Sequence, residues 1–224
     1  MHVRGLSLLL LAVVSSGCSR FFIARPQYNE VKKVAVVQYG INPRFIMGTP
    51  MADEAKTEVG AKNIEAFVKA MGNDWQIMPI AEMQANPAYQ SWGVPSVDGV
   101  YTHKGMRFSA DNRYDMVTAM IQPADAAKAC EALGVDAVIA LAESWNIQVN
   151  FFQGQTRNEY AVNMFDKTGA RIWGDATVGQ SDQNFGVPPG GAVATEMETW
   201  VKANSESFAR ALEDFRAHLA APAK

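Results

Sequence analysis

The chain has 224 residues, 48% of them apolar and 19% charged, which suits one packed core and excludes a disordered protein. Its 20 basic and 23 acidic residues give a net charge of −3, and no Lys/Arg cluster forms the stripe that nucleic-acid binding requires. The two cysteines, Cys18 and Cys130, stand far apart in the sequence, so no disulfide framework of a small secreted scaffold is implied.

The first residues read MHVRGLSLLLLAVVSSG. Arg4 supplies a positive start, Leu6 to Val14 form an apolar run broken only by Ser7, and Ser15, Ser16 and Gly17 are small. That is the order of a secretory signal, and the run is far short of the ~20 residues a spanning helix needs. The SSGC that follows at 15–18 resembles the lipobox of bacterial lipoproteins, with Ser15 where that family usually carries an aliphatic residue. The resemblance implies cleavage before Cys18, a diacylglycerol on its thiol and, from Ser19 in place of Asp, an outer-membrane destination on the periplasmic face. Residues 1–17 are then the signal peptide, 18–29 a lipid-anchored tether and 30–221 a single periplasmic α/β domain. Removing 17 of the 224 residues leaves 207, and the loss of Arg4 takes the net charge to −4.

The stretch SRFFIARPQYN (19–29) reaches at most about 40 Å when extended. Phe21, Phe22 and Ile23 can either touch lipid headgroups or pack on the domain. KKVAVVQY (32–39) reads as a central strand because both of its faces are apolar. Thr49-Pro50 marks a helix start, and Ile64, Phe67, Val68 and Met71 recur at helical spacing until Gly72. WQIMPI (75–80) is a second strand, after which AEMQA runs to Asn86-Pro87. The pattern then weakens as far as Pro123, with a short helix conceivable over Tyr114 to Ile121.

Pro123 opens a helix that Gly134 ends, and Ala126, Cys130 and Leu133 share one of its faces. Cys130 reads as a buried free thiol serving as a small hydrophobe. VDAVIALAESW follows as a third strand and continues through the alternation of Trp145, Ile147, Val149 and Phe151 with polar residues. QGQTRN (153–158) is expected to turn, EYAVNMF to return as strand, DKTG (166–169) to close a hairpin and ARIWGDATVG to run back. A last long helix carries Val193, Met197, Trp200, Val201, Phe208, Leu212, Phe215 and Leu219 in one stripe. The order β-α-β-α-α-β-β-β-α predicts an α/β (α+β) fold. It is a single mixed sheet with a parallel core, an antiparallel hairpin edge, helices on its faces and a long C-terminal helix.

KKVAVVQY, LGVDAVIALAESW, YAVNMFDKTGARIWGDATVG and the terminal helix together resemble a group of bacterial envelope lipoproteins. The group includes the curli-secretion-channel lipoproteins, the penicillin-binding-protein activators and uncharacterised lipoproteins, and the amino-terminal domain of the Tol-system propeller protein has a similar core. The resemblance implies a noncatalytic domain that self-associates or docks on an envelope machine, and it carries over no catalytic residue.

The sequence offers little chemistry of its own. His103 and His218 lack a second ligand at metal spacing, no G-x-S-x-G occurs, and GVPPGG (186–191) lacks the lysine and the backbone donors of a phosphate loop. Asp111, Asp115, Asp125, Asp136 and Glu143 read as solvated acids and Asp166 as a turn residue. No catalytic residue, metal site, cofactor or small-molecule substrate is therefore assigned. Two segments suit interaction: the aromatic set Tyr89, Trp92, Tyr101, Phe108 and Tyr114, which serves either recognition or as plugs on its own domain, and the alternating hairpin at 143–165, which either inserts into a membrane in a barrel-forming oligomer or, as expected, forms a half-buried sheet beneath the last helix. The expected function is that of an accessory or assembly protein of the envelope, binding an envelope protein or itself. The alternatives are a self-assembling secretion channel and a periplasmic enzyme of unrecognised type.

Overall fold

The computed structural model describes residues 21–43, 53–88, 121–145, 147–150, 153–182, 185–186 and 197–221. In chain order the elements are β1 (Phe21–Ile23), α1 (Arg25–Glu30), β2 (Lys33–Pro43), α2 (Asp53–Met71), β3 (Gln76–Ile77) and α3 (Ile80–Ala85). There follow α4 (Pro123–Leu133), β4 (Ala137–Trp145), β5 (Ile147–Asn150), β6 (Gln153–Asp166), β7 (Arg171–Gln180), β8 (Phe185–Gly186) and α5 (Met197–Ala220).

The apolar runs of β2 and β4 are buried on both faces and lie parallel, with Val34 beside Ala137 and Tyr39 beside Leu141. β3 adds to β2 in parallel, and β6, β7 and β1 extend the sheet antiparallel from β4, in the order β1-β7-β6-β4-β2-β3. β5 and β8 pair with the first residues of β6. The mixed sheet, its hairpin side and its long last helix are those the sequence predicts.

The tight turn between β6 and β7 rests on local chemistry. Asp166 Oδ1 accepts from the Thr168 amide at 2.8 Å and from its hydroxyl at 2.6 Å, while Gly169 takes φ 82°. A side chain at Gly169 would also strike the carbonyl of Pro123, so this glycine lets the turn touch the start of α4. Gly134 closes α4 in the left-handed conformation, as its position predicts.

Alternation divides the sheet between two layers. Trp173, Asp175, Thr177 and Gly179 of β7 face α5, as do Thr156 and Tyr160 of β6. α2 packs beside α5 on this side. α4 covers the other face, where the buried Cys130 sulfur lies 3.9 Å from the Phe165 carbonyl. Burial pushes that thiol up to about 12, so it stays protonated, in keeping with a core role.

Three segments differ from expectation. Residues 21–29, read as tether, pack on the domain. β1 pairs with β7 from Phe21 opposite Asp175 to Ile23 opposite Trp173, and the Tyr28 ring stands edge-on to Trp75 and Trp173. Arg25 donates to the carbonyls of Leu219 at 2.7 Å and Ala221 at 2.9 Å, which the end of α5 leaves without helical partners. The strand at 75–80 shrinks to Gln76–Ile77 because Pro79 turns the chain into α3. Residues 153–158, expected to turn, begin the 14-residue β6, and the polar Thr156 and Asn158 that suggested a loop are buried. Thr49-Pro50, residues 114–120 of the helix conceived over 114–121 and Val193 lie outside the described residues.

Gly179 packs directly under the backbone of Ser207 in α5, where a methyl group would overlap the carbonyl oxygen. Gly179→Ala should therefore lift α5 from β7 and cost about 1–3 kcal/mol in denaturant unfolding, whereas Ala at the exposed Arg157 should leave the midpoint nearly unchanged.

Candidate functional site: a buried carboxyl network between sheet and helices

Glu143 stands at an inward position of β4, opposite Tyr160 of β6 and beside Ile41 of β2, and it is fully buried. Four neutral side chains from four elements point donors at its carboxylate. The Tyr39 hydroxyl (β2) donates to Oε2 at 2.5 Å and the Asn63 amide (α2) to the same oxygen at 3.2 Å. The Asn158 amide (β6) donates to Oε1 at 3.2 Å, and the Asn204 amide (α5) donates to Oε1 as well.

The donors are also tied to each other. Asn63 Nδ2 reaches Asn204 Oδ1 at 2.8 Å, which joins the two helices, and the Tyr39 oxygen at 2.7 Å. Asn158 Nδ2 reaches the Tyr160 hydroxyl at 3.1 Å. The rings of Tyr39 and Tyr160 both pack on Phe208 of α5, so apolar contacts seal the network from solvent.

Burial raises the Glu143 carboxyl from its ordinary 4.5 to about 8, and the hydrogen bonds from Tyr39, Asn204 and Asn63 oppose that rise without cancelling it. The two phenols are pushed well above their ordinary 10, first by burial and then by the charge of Glu143, so they remain donors throughout the physiological range. Glu143 was expected in solvent; it instead holds the centre of the domain. A surface placement fails because its position continues the inward alternation of Ile139 and Leu141.

A second acid–base pair lies near the end of α5. His218 Nδ1 sits 2.9 Å from Asp175 Oδ2, with the Phe21 ring 5.5 Å from the imidazole. Asp175 is buried and its carboxyl is raised to about 6, chiefly by desolvation, with His218 pulling the other way. Asp136, also read as a solvated acid, accepts the amides of Lys32 and Lys33 at 2.9 Å each, which holds it below the usual carboxylate range. It ties the start of β2 to the start of β4. Among the described residues no three His, Cys, Asp or Glu side chains group to hold a metal ion, and no helix is long and apolar enough to cross a membrane. Cys18, His103, Asp111, Asp115 and the aromatic set Tyr89, Trp92, Tyr101, Phe108 and Tyr114 lie outside the described residues.

The 143–165 hairpin has its inward face under α5. Thr156 Oγ1 donates to the Ala203 carbonyl at 3.1 Å, and Glu143, Asn158 and Tyr160 belong to the buried network. Its polar alternation thus serves the interior of this domain.

No protein-family model matches the chain, nor does the sequence of any curated protein. Among solved structures, lipoprotein GNA1162 from Neisseria meningitidis is similar at 14% identity and a TM-score of 0.39, over 80% of this chain and 99% of that one. The LpoB C-terminal domain from Salmonella enterica matches at 16% identity and a TM-score of 0.34, over 66% and 81% of the two chains. The PelC dodecamer from Paraburkholderia phytofirmans matches at 13% identity and a TM-score of 0.36, over 87% and 91%. These neighbours are bacterial lipoproteins, the group that the strand pattern resembles. At such scores the likeness transfers no partner, assembly or activity to this chain.

The residues that the sequence reading missed are Asn63, Asn158, Asn204 and the role of Glu143. A signal for them exists. Asn63 continues the four-residue ladder of Val59, Phe67 and Met71 in α2, and Asn204 falls between Val201 and Phe208 on the buried stripe of α5. Polar residues at apolar positions of three separate elements point to one shared, satisfied network.

The folded value of Glu143 lies above its ordinary one, so between about 4.5 and 8 the folded chain keeps a proton that the unfolded chain has released. Its contribution is fully present below about 4.5 and is lost as pH rises through about 8. Wild-type stability should therefore fall across that window more steeply than that of Glu143→Gln, a difference read by unfolding at several pH values. Asp175 titrates in the same sense in both proteins and cancels in the comparison. Asn204→Ala should cost about 1–3 kcal/mol at neutral pH, because it leaves Glu143 short of a donor in a dry site.

Proposed function

We propose that the protein is a lipid-anchored component of the outer membrane, on its periplasmic face, which acts noncatalytically as an accessory or assembly protein through contacts with envelope proteins. The observation that carries this reading is the position of Cys18. It follows a secretory leader in a lipobox-like SSGC and stands three residues before the first strand of the domain. With residues 21–30 folded into the domain, only Ser19 and Arg20 separate Cys18 from β1. A domain on so short a connection works at the membrane surface, and partners come to it there.

The buried network supports a binding role over a reaction. Its polar groups are spent on one another and on α5, and the Glu143 carboxyl is sealed beneath Phe208.

Intact mass of membrane-extracted protein should show a lipid on Cys18 as residue 1 of the mature chain, and an unmodified thiol would end the anchor reading. Crosslinking and affinity purification from native envelopes should recover a defined partner with the wild type and lose it with Cys18→Ser. A solitary monomer in both samples would overturn the accessory role, and a detergent-stable ring would replace it with the channel.

A further inference from the structure

We propose that the outward side of β1, with the adjoining start of β7, is a bilayer-contact surface in which Phe22 enters the lipid headgroup layer and Arg171 meets anionic phosphate. The inference rests on lipidation of Cys18 and adds to it the side of the domain that the lipid draws against the membrane.

Distance makes the first argument. From Cys18 to Phe21 the backbone spans at most about 11 Å, while the polar layer of one leaflet is roughly 5–8 Å thick. β1 cannot swing away to relieve that proximity. It is laddered to β7, the Ala24 amide donates to the Ile172 carbonyl at 2.8 Å, and Arg25 is fixed on the last carbonyls of α5. A lipid on Cys18 therefore holds this sheet edge at the bilayer.

Side-chain direction makes the second. Phe21 and Ile23 point inward, one onto His218 and the other onto the core, so alternation turns Phe22 outward, where it is 41% exposed. A single exposed ring is ordinary on a soluble surface. Here, however, it occupies the outward position of an edge strand, where a charged residue commonly guards against pairing with other chains.

Charge makes the third. The Arg171 guanidinium lies 5.3 Å from the centre of the Phe22 ring. Gly174 stands opposite Phe22 in the ladder, and a side chain there would meet Asn163 Oδ1 at 3.0 Å and the Arg171 guanidinium at 3.3 Å. The bare backbone of Gly174 thus leaves the space in which the cation rests beside the ring. Arg20 precedes the strand in the sequence RFFIAR. An aromatic ring with a cation whose stem runs along the surface matches the layered chemistry of a membrane interface, apolar below and anionic above.

The test uses the lipidated mature chain, from Cys18 onward, in vesicles of phosphatidylethanolamine and phosphatidylglycerol, spin-labelled at Phe22→Cys or, for comparison, at Lys202→Cys. Lys202 is exposed on α5, 16 residues before His218, about 24 Å along the helix. Cys130 stays in place because it is buried and protonated, and the parent protein should take up no label. The label at 22 should be several-fold less accessible to an aqueous nickel chelate, relative to oxygen, than the label at 202. Arg171→Glu should return it toward the aqueous value. Equal aqueous access at both positions would overturn the contact surface. Intact mass of the same samples reports the anchor separately. If no lipid is present, the same two labels on a Cys18→Ser chain added to the same vesicles decide the surface alone: shielding at 22 sustains it, and its absence overturns it.

Discussion

The carboxyl of Glu143 is the point at which β2, β4, β6, α2 and α5 are held to one another. Each of the other four elements gives it a donor, so none can rotate or slide without leaving a polar group unpaired in a dry interior. Apolar packing alone would let α5 settle over the sheet in several rotations of similar energy. Asn204 meets both Glu143 and Asn63 in only one of them, and Gly179 then allows the helix backbone to come down onto β7. The network therefore chooses one arrangement among several that burial would tolerate.

Such a choice has a cost. Taking a carboxyl out of water raises its proton affinity, and the donors around it are all neutral, so no charge in the network repays the full desolvation of the ionised form. The acid that organises the core also makes it sensitive to rising pH. Tyr39 softens this, since its phenol stays protonated and continues to donate whichever form Glu143 takes.

Much of the architecture is legible in the sequence because it depends on short-range regularities. The apolar runs of β2 and β4, the DKTG turn, Gly134 after α4 and the four-residue stripe of α5 each declare themselves within a few residues. What is not legible depends on residues distant in the chain. Glu143 looks like a surface acid until Asn63 and Asn204, 80 residues before it and 61 after, arrive beside it. Residues 153–158 look like a loop because Ala203 of α5, whose carbonyl takes the buried Thr156 hydroxyl, comes 47 residues later. The segment from Phe21 to Asn29 looks like a tether because its partners, β7 and the end of α5, are almost the whole chain away.

The bond from Arg25 to the carbonyls of Leu219 and Ala221 brings the beginning and the end of the folded chain to one corner of the molecule. Any sequence joined after Ala221 consequently starts beside the strand that leads back to Cys18. A fluorescent protein or affinity tag attached there would report on, and crowd, the anchored side of the domain. A reporter meant to watch the opposite end belongs near Met197, about 36 Å away along the 24 residues of α5.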